Sequence, residues 1–353
     1  MGPHPAVATV RLAVRRTLAA AKSAAASATD TDASPGTVLV ACSGGADSLA
    51  LLAATVFEGR KTGWRVVGVT VDHGLQDRSA DHAAAVVRQM AALGVDETAS
   101  VRVTVDPGGR GVEAGAREAR YVALEELAGH FHASAVLLGH TLDDQAETVL
   151  LGLDLGCRGR SVAGMRDGFG PFRRPLLEVT RAETEAACRA EDIEFWEDPH
   201  NTDPRFTRAR VRHRVMPVLE EELGPGIAEN LARTASGLQE DLAALDSIAE
   251  AAYGRAAAGG PDEVVLDVPA LEQLETAVRR RVLRRAALAA GSPPSELFRV
   301  HVLAVDELVT GYRGQVRVEL PGHVHAVRTG PVLRVSRVGP RTGERPVEGP
   351  VAG

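Results

Sequence analysis

The chain has 353 residues, of which 44% are hydrophobic and 25% charged, with a formal net charge of −7. That length suits about two domains, and the composition is that of a globular protein rather than a fibrous or disordered one. No apolar run is long enough to span a bilayer. Three cysteines, Cys42, Cys157 and Cys188, form no CxxC pair and no metal-ligand spacing, which argues against a disulfide framework and for a reducing cytoplasm.

The acidic balance does not exclude a nucleic-acid partner, because binding depends on where charge sits. The only lysines are Lys22 and Lys61, so the cations are nearly all arginine, the side chain better matched to phosphate. Residues 6–29 are rich in Ala, Ser and Arg like a transit peptide. Val10, Leu12, Val14 and Leu18 instead give them the stripe of a modest amphipathic helix, and no cleavage signal follows. Residues 30–36 read as a linker.

Val38–Cys42 reads as a strand, with a helix beginning around Ser48–Thr55. Val66–Val71 is a second strand, residues 79–93 a helix, Val101–Val105 a third strand and residues 112–130 a helix. Ala133–Leu138 is a fourth strand, and a helix follows from about Asp144 to Leu151. This alternation predicts right-handed βαβ units and a doubly wound parallel sheet, on which ligands bind beyond the carboxyl ends of the strands. Pro175 to Trp196 is expected to complete the sheet or its edge.

From about residue 217 the texture changes. Residues 217–258 and 268–291 predict a smaller, mainly helical domain. Val316–Leu320, His323–Val327 and Val332–Val335 predict short strands joined by turns. The expected organisation is a helix and linker over 1–36, a catalytic domain over 37–216, a recognition domain over 217–340 and a disordered tail over 341–353.

Ser43-Gly44-Gly45-Ala46-Asp47-Ser48 directly follows a strand and opens a helix. The glycines let backbone approach an anion, and the helix start offers free N–H groups and a positive dipole end. Ser43 and Ser48 can donate hydroxyl hydrogen bonds. Asp47 suits a phosphate site only if Mg²⁺ lies between carboxylate and phosphate. The loop lacks the Gly-Lys of a Walker A sequence. A second constellation, His140-Thr141-Leu142-Asp143-Asp144-Gln145-Ala146-Glu147-Thr148, follows the fourth strand. Helical spacing puts at least two of its carboxylates on one face, where like charges call for a cation, either Mg²⁺ or a substrate ammonium.

The first loop resembles the SGGxDS pyrophosphate (PP) loop of ATP pyrophosphatases, which cleave ATP between the α- and β-phosphates. The second segment resembles the HxxDDQxET motif of tRNA(Ile)-lysidine synthetases. Val71-Asp72-His73-Gly74-Leu75 is similar to that family's VDHGL, and Gly115-Ala116-Arg117-Glu118-Ala119-Arg120-Tyr121 to its AR-x-x-RY helix. Glu197-Asp198-Pro199-His200-Asn201-Thr202-Asp203, followed by Phe206–Arg212, resembles its EDPSN…RNxIR segment. His200 stands where Ser is usual, Ala209 where Asn is usual, and Gly152–Ser161 replaces a glycine-rich loop. The resemblance covers residues 37 to about 220 and is architectural beyond.

The resemblance implies an adenine nucleotide alpha-hydrolase-like fold and a ligase using ATP and Mg²⁺. Its substrates would be L-lysine and tRNA(Ile) with a CAU anticodon. The wobble cytidine would be adenylated at O2 and then attacked at C2 by the lysine ε-amine, so that the tRNA reads AUA instead of AUG. Ser43, Gly44, Gly45, Ala46, Asp47, Ser48, Asp72, His73, Arg117 and Gly139 would hold ATP. Asp47, Asp143 and Glu147 are the metal candidates. Arg117, Arg208 and Arg212 would meet charge developing on the α-phosphate. The amine must be neutral to attack, which costs about 4–5 kcal/mol at pH 7. Asp144 is expected to grip the ammonium and His140 to act as base or transition-state contact. Two arginine runs, Arg205 to Arg214 and Arg279 to Arg285, are candidate RNA contacts.

Competing readings are a tRNA thiolase, an NAD or GMP synthetase, or a non-catalytic tRNA-binding protein. Thiolases usually carry cysteine pairs, and the synthetases leave the second motif unexplained. A homodimer is compatible with the sequence, although no stretch specifies an interface.

Overall fold

The computed structural model of the protein describes residues 2–28, 36–72, 74, 79–104, 112–154, 159–198, 202–260 and 263–337. His73, Cys157, Pro199, His200, Asn201 and the tail read as disordered lie outside the described residues. The chain divides into two compact units, Met1–Gln239 and Glu240–Gly353. The division falls within one 30-residue helix, Ile227–Ala256, rather than at residue 216 where the composition changes.

In the first unit the elements are α1 (Pro5–Ala28), β1 (Thr37–Ala41), α2 (Ala46–Thr62), β2 (Arg65–Asp72), α3 (Ser79–Ala92), β3 (Glu97–Arg102), α4 (Val112–His130) and β4 (Ala133–Leu138). Then follow α5 (Leu142–Asp154), α6 (Gly159–Val162), β5 (Gly168–Phe169), β6 (Phe172–Arg173), α7 (Arg181–Ala190), α8 (Thr207–Arg210), a π-helical turn (Val211–Val215), α9 (Met216–Leu223) and the start of α10 (Ile227–Ala256). The sheet order is β3-β2-β1-β4-β6-β5, parallel except for β5 against β6.

Alternation along the strands accounts for the layering. Val38, Val40, Val66 and Leu137 point into one core with α1, α2 and α3, while Leu39, Val67, Val69 and Val136 point into another with Leu124 and Ala128 of α4. Both faces are covered, so the central strands are apolar throughout, as a buried parallel sheet requires. The strand order reverses between β1 and β4, which makes the crevice beyond their carboxyl ends the expected ligand position.

Residues 175–196, expected as sheet, contain α7 instead. Thr180 caps this helix: its hydroxyl accepts from the Glu183 amide at 3.2 Å, and the Glu183 carboxylate accepts from the Thr180 amide at 2.9 Å. That Thr-x-x-Glu capping box is a sequence signature of a helix start, and it outweighs the β-branched residues before it. The third strand runs Glu97–Arg102, registered against β2 from Val67↔Glu97 to Asp72↔Arg102. Its apolar end, Val101, is only part of it.

The second unit holds the end of α10, β7 (Ala257–Gly260), β8 (Glu263–Asp267), α11 (Val268–Glu272), α12 (Thr276–Ala289), α13 (Arg299–Thr310), β9 (Val318–Leu320), β10 (Val324–Thr329) and β11 (Val332–Arg337). Its antiparallel sheet has the order β7-β8-β11-β10-β9. The three C-terminal strands fall within two residues of their expected limits, but β7, β8 and α13 were not legible.

Arginines of the run Arg279–Arg285 find carboxylate partners within this unit. Arg279 is only 8% exposed; its Nε donates to Asp306 at 2.7 Å and its Nη1 to the Leu274 carbonyl at 2.9 Å. Arg280 pairs with Asp306, Arg281 with Asp246 and Arg285 with Glu250. Burial removes Arg279 from the run read as an RNA-facing patch, whereas the paired Arg280 and Arg285 keep 34% and 51% of their side chains exposed. Arg279→Ala is therefore expected to cost about 3 kcal/mol of stability, the effect of breaking a buried pair. Denaturant unfolding measures it, and tRNA affinity should stay unchanged.

Candidate active site

The predicted residues converge at the β1–β4 crevice. A cleft of about 720 Å³ is lined by Ser43, Gly45, Ala46, Asp47, Ser48, Asp72, Arg117, Gly139, His140, Asp144, Arg208 and Arg212, and also by Arg120, Arg181 and Trp196. Gly44 shapes the loop from behind, while Asp143 and Glu147 lie outside the lining.

The glycine loop is held by its own serines. Ser48 Oγ accepts from the Ser43 amide at 3.1 Å and donates to the Gly45 carbonyl at 2.9 Å. Gly44 has φ +84°, and a Cβ there would lie 2.8 Å from Val86 Cγ2, so only glycine fits. Around Gly45 the nearest neighbour of such a Cβ would be 3.7 Å away, leaving its backbone open. A Cβ on Gly139 would meet the Asp47 and Ser48 backbone at 3.1–3.2 Å, so glycine lets the end of β4 abut the first turn of α2. Helix α2 has 17 residues and no side-chain cap on its N-terminus. Its dipole and free amides therefore face the cleft, which suits an anion.

Asp47 sits in that first turn. It accepts from the Thr184 hydroxyl on α7, and its Oδ2 lies 3.7 Å from Arg181 Nε. Burial raises its pKa to about 6, against the lowering effects of Thr184 and Arg181.

The acidic segment is compensated by guanidinium groups. Asp144 accepts through Oδ2 from the Thr141 amide at 2.9 Å, and through Oδ1 from Arg181 and Arg212, each at 3.2 Å. Glu147 accepts from Arg212 Nε at 2.7 Å and lies 3.6 Å from Arg208 Nε. Asp143 accepts from the Arg181 amide at 2.7 Å. Burial would raise the Asp144 carboxyl, but Arg181, Thr141 and Arg212 hold it below the usual carboxylate range. The cation called for by the spacing is thus arginine, supplied by α7, α8 and the π turn. Asp143 and Glu147 are engaged this way. Among the described residues no three His, Cys, Asp or Glu side chains form a ready metal site.

Arg212 lies in the π turn Val211–Val215. Such turns are rare and concentrate at functional sites. Arg208 donates to Thr148 at 2.8 Å.

On the opposite wall, Arg117 and Arg174 both donate to the Tyr121 hydroxyl, at 3.3 and 3.4 Å. Burial raises the phenol, yet Arg117, Arg174 and Arg120 together hold it below its ordinary pKa. Arg120 Nε is buried with no hydrogen-bond partner among the described residues, and burial lowers its pKa. His140 is held neutral, first by burial and then by Arg120, Arg174 and Arg117, with only Asp144 opposing.

Asp72 accepts from the Gly74 amide at 2.9 Å. His82 meets the Ser43 carbonyl through Nε2 at 3.0 Å, and its ring lies 4.0 Å from that of Trp196. Sequence reasoning missed Arg181, Thr184, Arg174 and Trp196. The capping box at Thr180 was the one signal that placed a helix, and hence Arg181, there.

A model described as the PP-loop domain matches residues 17–219, and one described as the TilS substrate binding domain matches residues 266–334. The tRNA(Ile)-lysidine synthase of Streptomyces coelicolor is 49% identical over 94% of this chain and 98% of its own length. That of Thermobifida fusca is 51% identical over 91% and 94%. Among solved structures, the U34-tRNA thiolase NcsA of Methanococcus maripaludis is similar with a TM-score of 0.52 at 18% identity, covering 67% of this chain and 80% of that one. At that identity the likeness is one of fold. Among the described residues, no helix is long and apolar enough to cross a membrane.

Proposed function

The chain belongs to the tRNA(Ile)-lysidine synthase family, and from that premise we propose how its cleft does the work: the PP loop takes the phosphates of ATP, and the arginine–carboxylate wall handles the incoming lysine. The enzyme is an ATP-using ligase that forms lysidine on tRNA(Ile). The observation that best supports the proposed roles is the uncapped N-terminus of α2, opening with Asp47 into the cleft lined by His140, Asp144 and Arg212.

Backbone amides of the loop and first turn bind phosphate oxygens, and Gly44 and Gly139 keep the approach open. Asp47, in the first turn of α2 beside the phosphate loop, is the carboxylate that would hold Mg²⁺, an ion suited to hard oxygen ligands. When bound, Mg²⁺ neutralises charge on the leaving pyrophosphate. Arg117, Arg208 and Arg212 face charge at the α-phosphate. The cytidine must leave its stack to expose O2. Arg205, Arg210 and Arg214 are the candidate backbone contacts near the site, although Arg205 already pairs with Asp203.

For the second half-reaction, Asp144 offers a carboxylate to the lysine ammonium. Arg181 and Arg212 occupy that carboxylate in the free chain, so the ammonium takes the place of a guanidinium.

Pyrophosphate release with ATP, lysine and a CAU-anticodon tRNA(Ile) transcript tests the reading. Release should require that transcript and fall steeply as salt rises, because phosphate contacts release counterions. Equal release without RNA, or with any tRNA, would count against it.

A further inference from the structure

Arg174 lies behind the cleft wall and is 7% exposed. Three of its nitrogens have fixed partners: Nη1 donates to the Arg166 carbonyl at 2.6 Å, Nη2 to the Tyr121 hydroxyl at 3.4 Å and Nε to His140 Nδ1 at 3.3 Å. Its own amide donates to the Asp167 carbonyl at 2.7 Å. The fold fixes this placement. β6 pairs with β4 in the register Val136↔Phe172 and Leu137↔Arg173, so the residue after β6 comes level with the end of β4, where His140 stands. Pro175 follows, and a residue before proline is biased to extended backbone.

Arginine stays protonated and never accepts a hydrogen bond. The nitrogen facing it, Nδ1, must therefore carry the lone pair, and the proton of the neutral ring must sit on Nε2. His140 lines the cleft, and its Nδ1 is the nitrogen bonded to Arg174, which leaves Nε2 for the cleft. The groups facing the ring are Arg117 and Arg120 from α4, Arg174 from behind and Asp144 from α5. Asp144 is itself engaged by Arg181, Arg212 and Thr141. A second proton on the ring would meet three guanidinium groups.

We propose that Arg174 is a positioning residue that fixes His140 as the neutral Nε2–H tautomer, so that His140 donates a hydrogen bond into the cleft and does not take a proton from the attacking amine. The oxygen it meets is one that gains negative charge, on the α-phosphate under attack or on the AMP that leaves. That identity rests on the proposed function, whereas the tautomer does not. A neutral donor aimed at developing charge works without the desolvation cost of a buried imidazolium.

The test is nitrogen-15 NMR of the full-length chain labelled at histidine, with His140 assigned by the signal missing from His140→Gln. The expected spectrum shows an unprotonated Nδ1 and a protonated Nε2, unchanged between about pH 5 and 8. In Arg174→Met the ring should lose this single tautomer or begin to titrate in that range. kcat should fall about 10–100-fold, the usual cost of losing an orienting partner, with ATP affinity little changed. Arg174→Lys keeps the charge and a donor and should recover part of kcat. His140→Gln, which keeps an N–H donor, should retain more activity than His140→Leu. An Nδ1–H tautomer, or titration near the ordinary histidine pKa, in the unsubstituted chain would overturn the proposal, as would equal loss in the Gln and Leu variants. Should Arg174→Met fail to fold, the unsubstituted spectrum and Arg174→Lys still decide. If pyrophosphate release proves independent of tRNA while the tautomer is as expected, the functional reading fails and the positioning role stands.

Discussion

Asp47→Asn is expected to lower turnover about a thousandfold, the several kcal/mol that metal-assisted charge neutralisation supplies, and to make the ligand-free protein more stable at pH 8. The two effects share one cause. Burial in the first turn of α2 lifts the Asp47 pKa to about 6 from 3.8. A carboxyl whose folded pKa lies above its unfolded value contributes stability that is full below about pH 3.8 and lost as pH rises through about 6. At pH 8 the folded chain carries an unfavourable charge that asparagine lacks. With the side chain 24% exposed, the gain is about 1–2 kcal/mol after allowance for solvent. It should vanish near pH 4. The Thr184 hydroxyl can still donate to the amide oxygen, so the loop keeps its anchor. Thermal unfolding of both forms at pH 4 and pH 8, beside a pyrophosphate assay, measures both halves. Undiminished turnover would remove Asp47 from the machinery.

Asp144 gives the opposite sign of stability. It is 8% exposed and accepts from Thr141, Arg181 and Arg212. Asp144→Ala leaves two guanidinium groups partly uncompensated and should cost about 3 kcal/mol, as for a broken buried pair. Asp144→Asn retains the acceptor for the Thr141 amide and should recover part of that stability. Neither variant can grip an ammonium ionically. Both should lose about 10- to 150-fold in kcat/KM for lysine, since a charge-assisted contact is worth about 1.5–3 kcal/mol, while the KM for ATP moves far less. A variant unfolding normally but turning over lysine as before would show that Asp144 only buttresses the arginines. Equal rises in KM for both substrates would place it in general cleft architecture.

The arginine cluster explains why an acidic helix start is stable here. Asp143, Asp144 and Glu147 all lie in the first turns of α5, where the helix dipole alone offsets well under one charge each. Arg181, Arg208 and Arg212 supply the remainder from three other elements.

What the residue pattern determined by itself was local. Apolar runs ending in glycine gave the parallel strands. Ser43–Ser48 announced a phosphate loop because few other sequences leave a helix start bare after a strand. Asp143, Asp144 and Glu147 announced a demand for positive charge because helical spacing fixes their proximity. The source of that charge was not legible, since Arg181 lies 34 residues beyond Glu147 and meets it only once α7 has docked. For the same reason Arg174 gave no sign of touching His140: strand register, not spacing along the chain, brings them together. Burial decided the rest. It turned Arg279 from a candidate RNA contact into a core ion pair, and it set the protonation of Asp47 and His140, because the cost of a charge depends on the medium that tertiary packing creates around it.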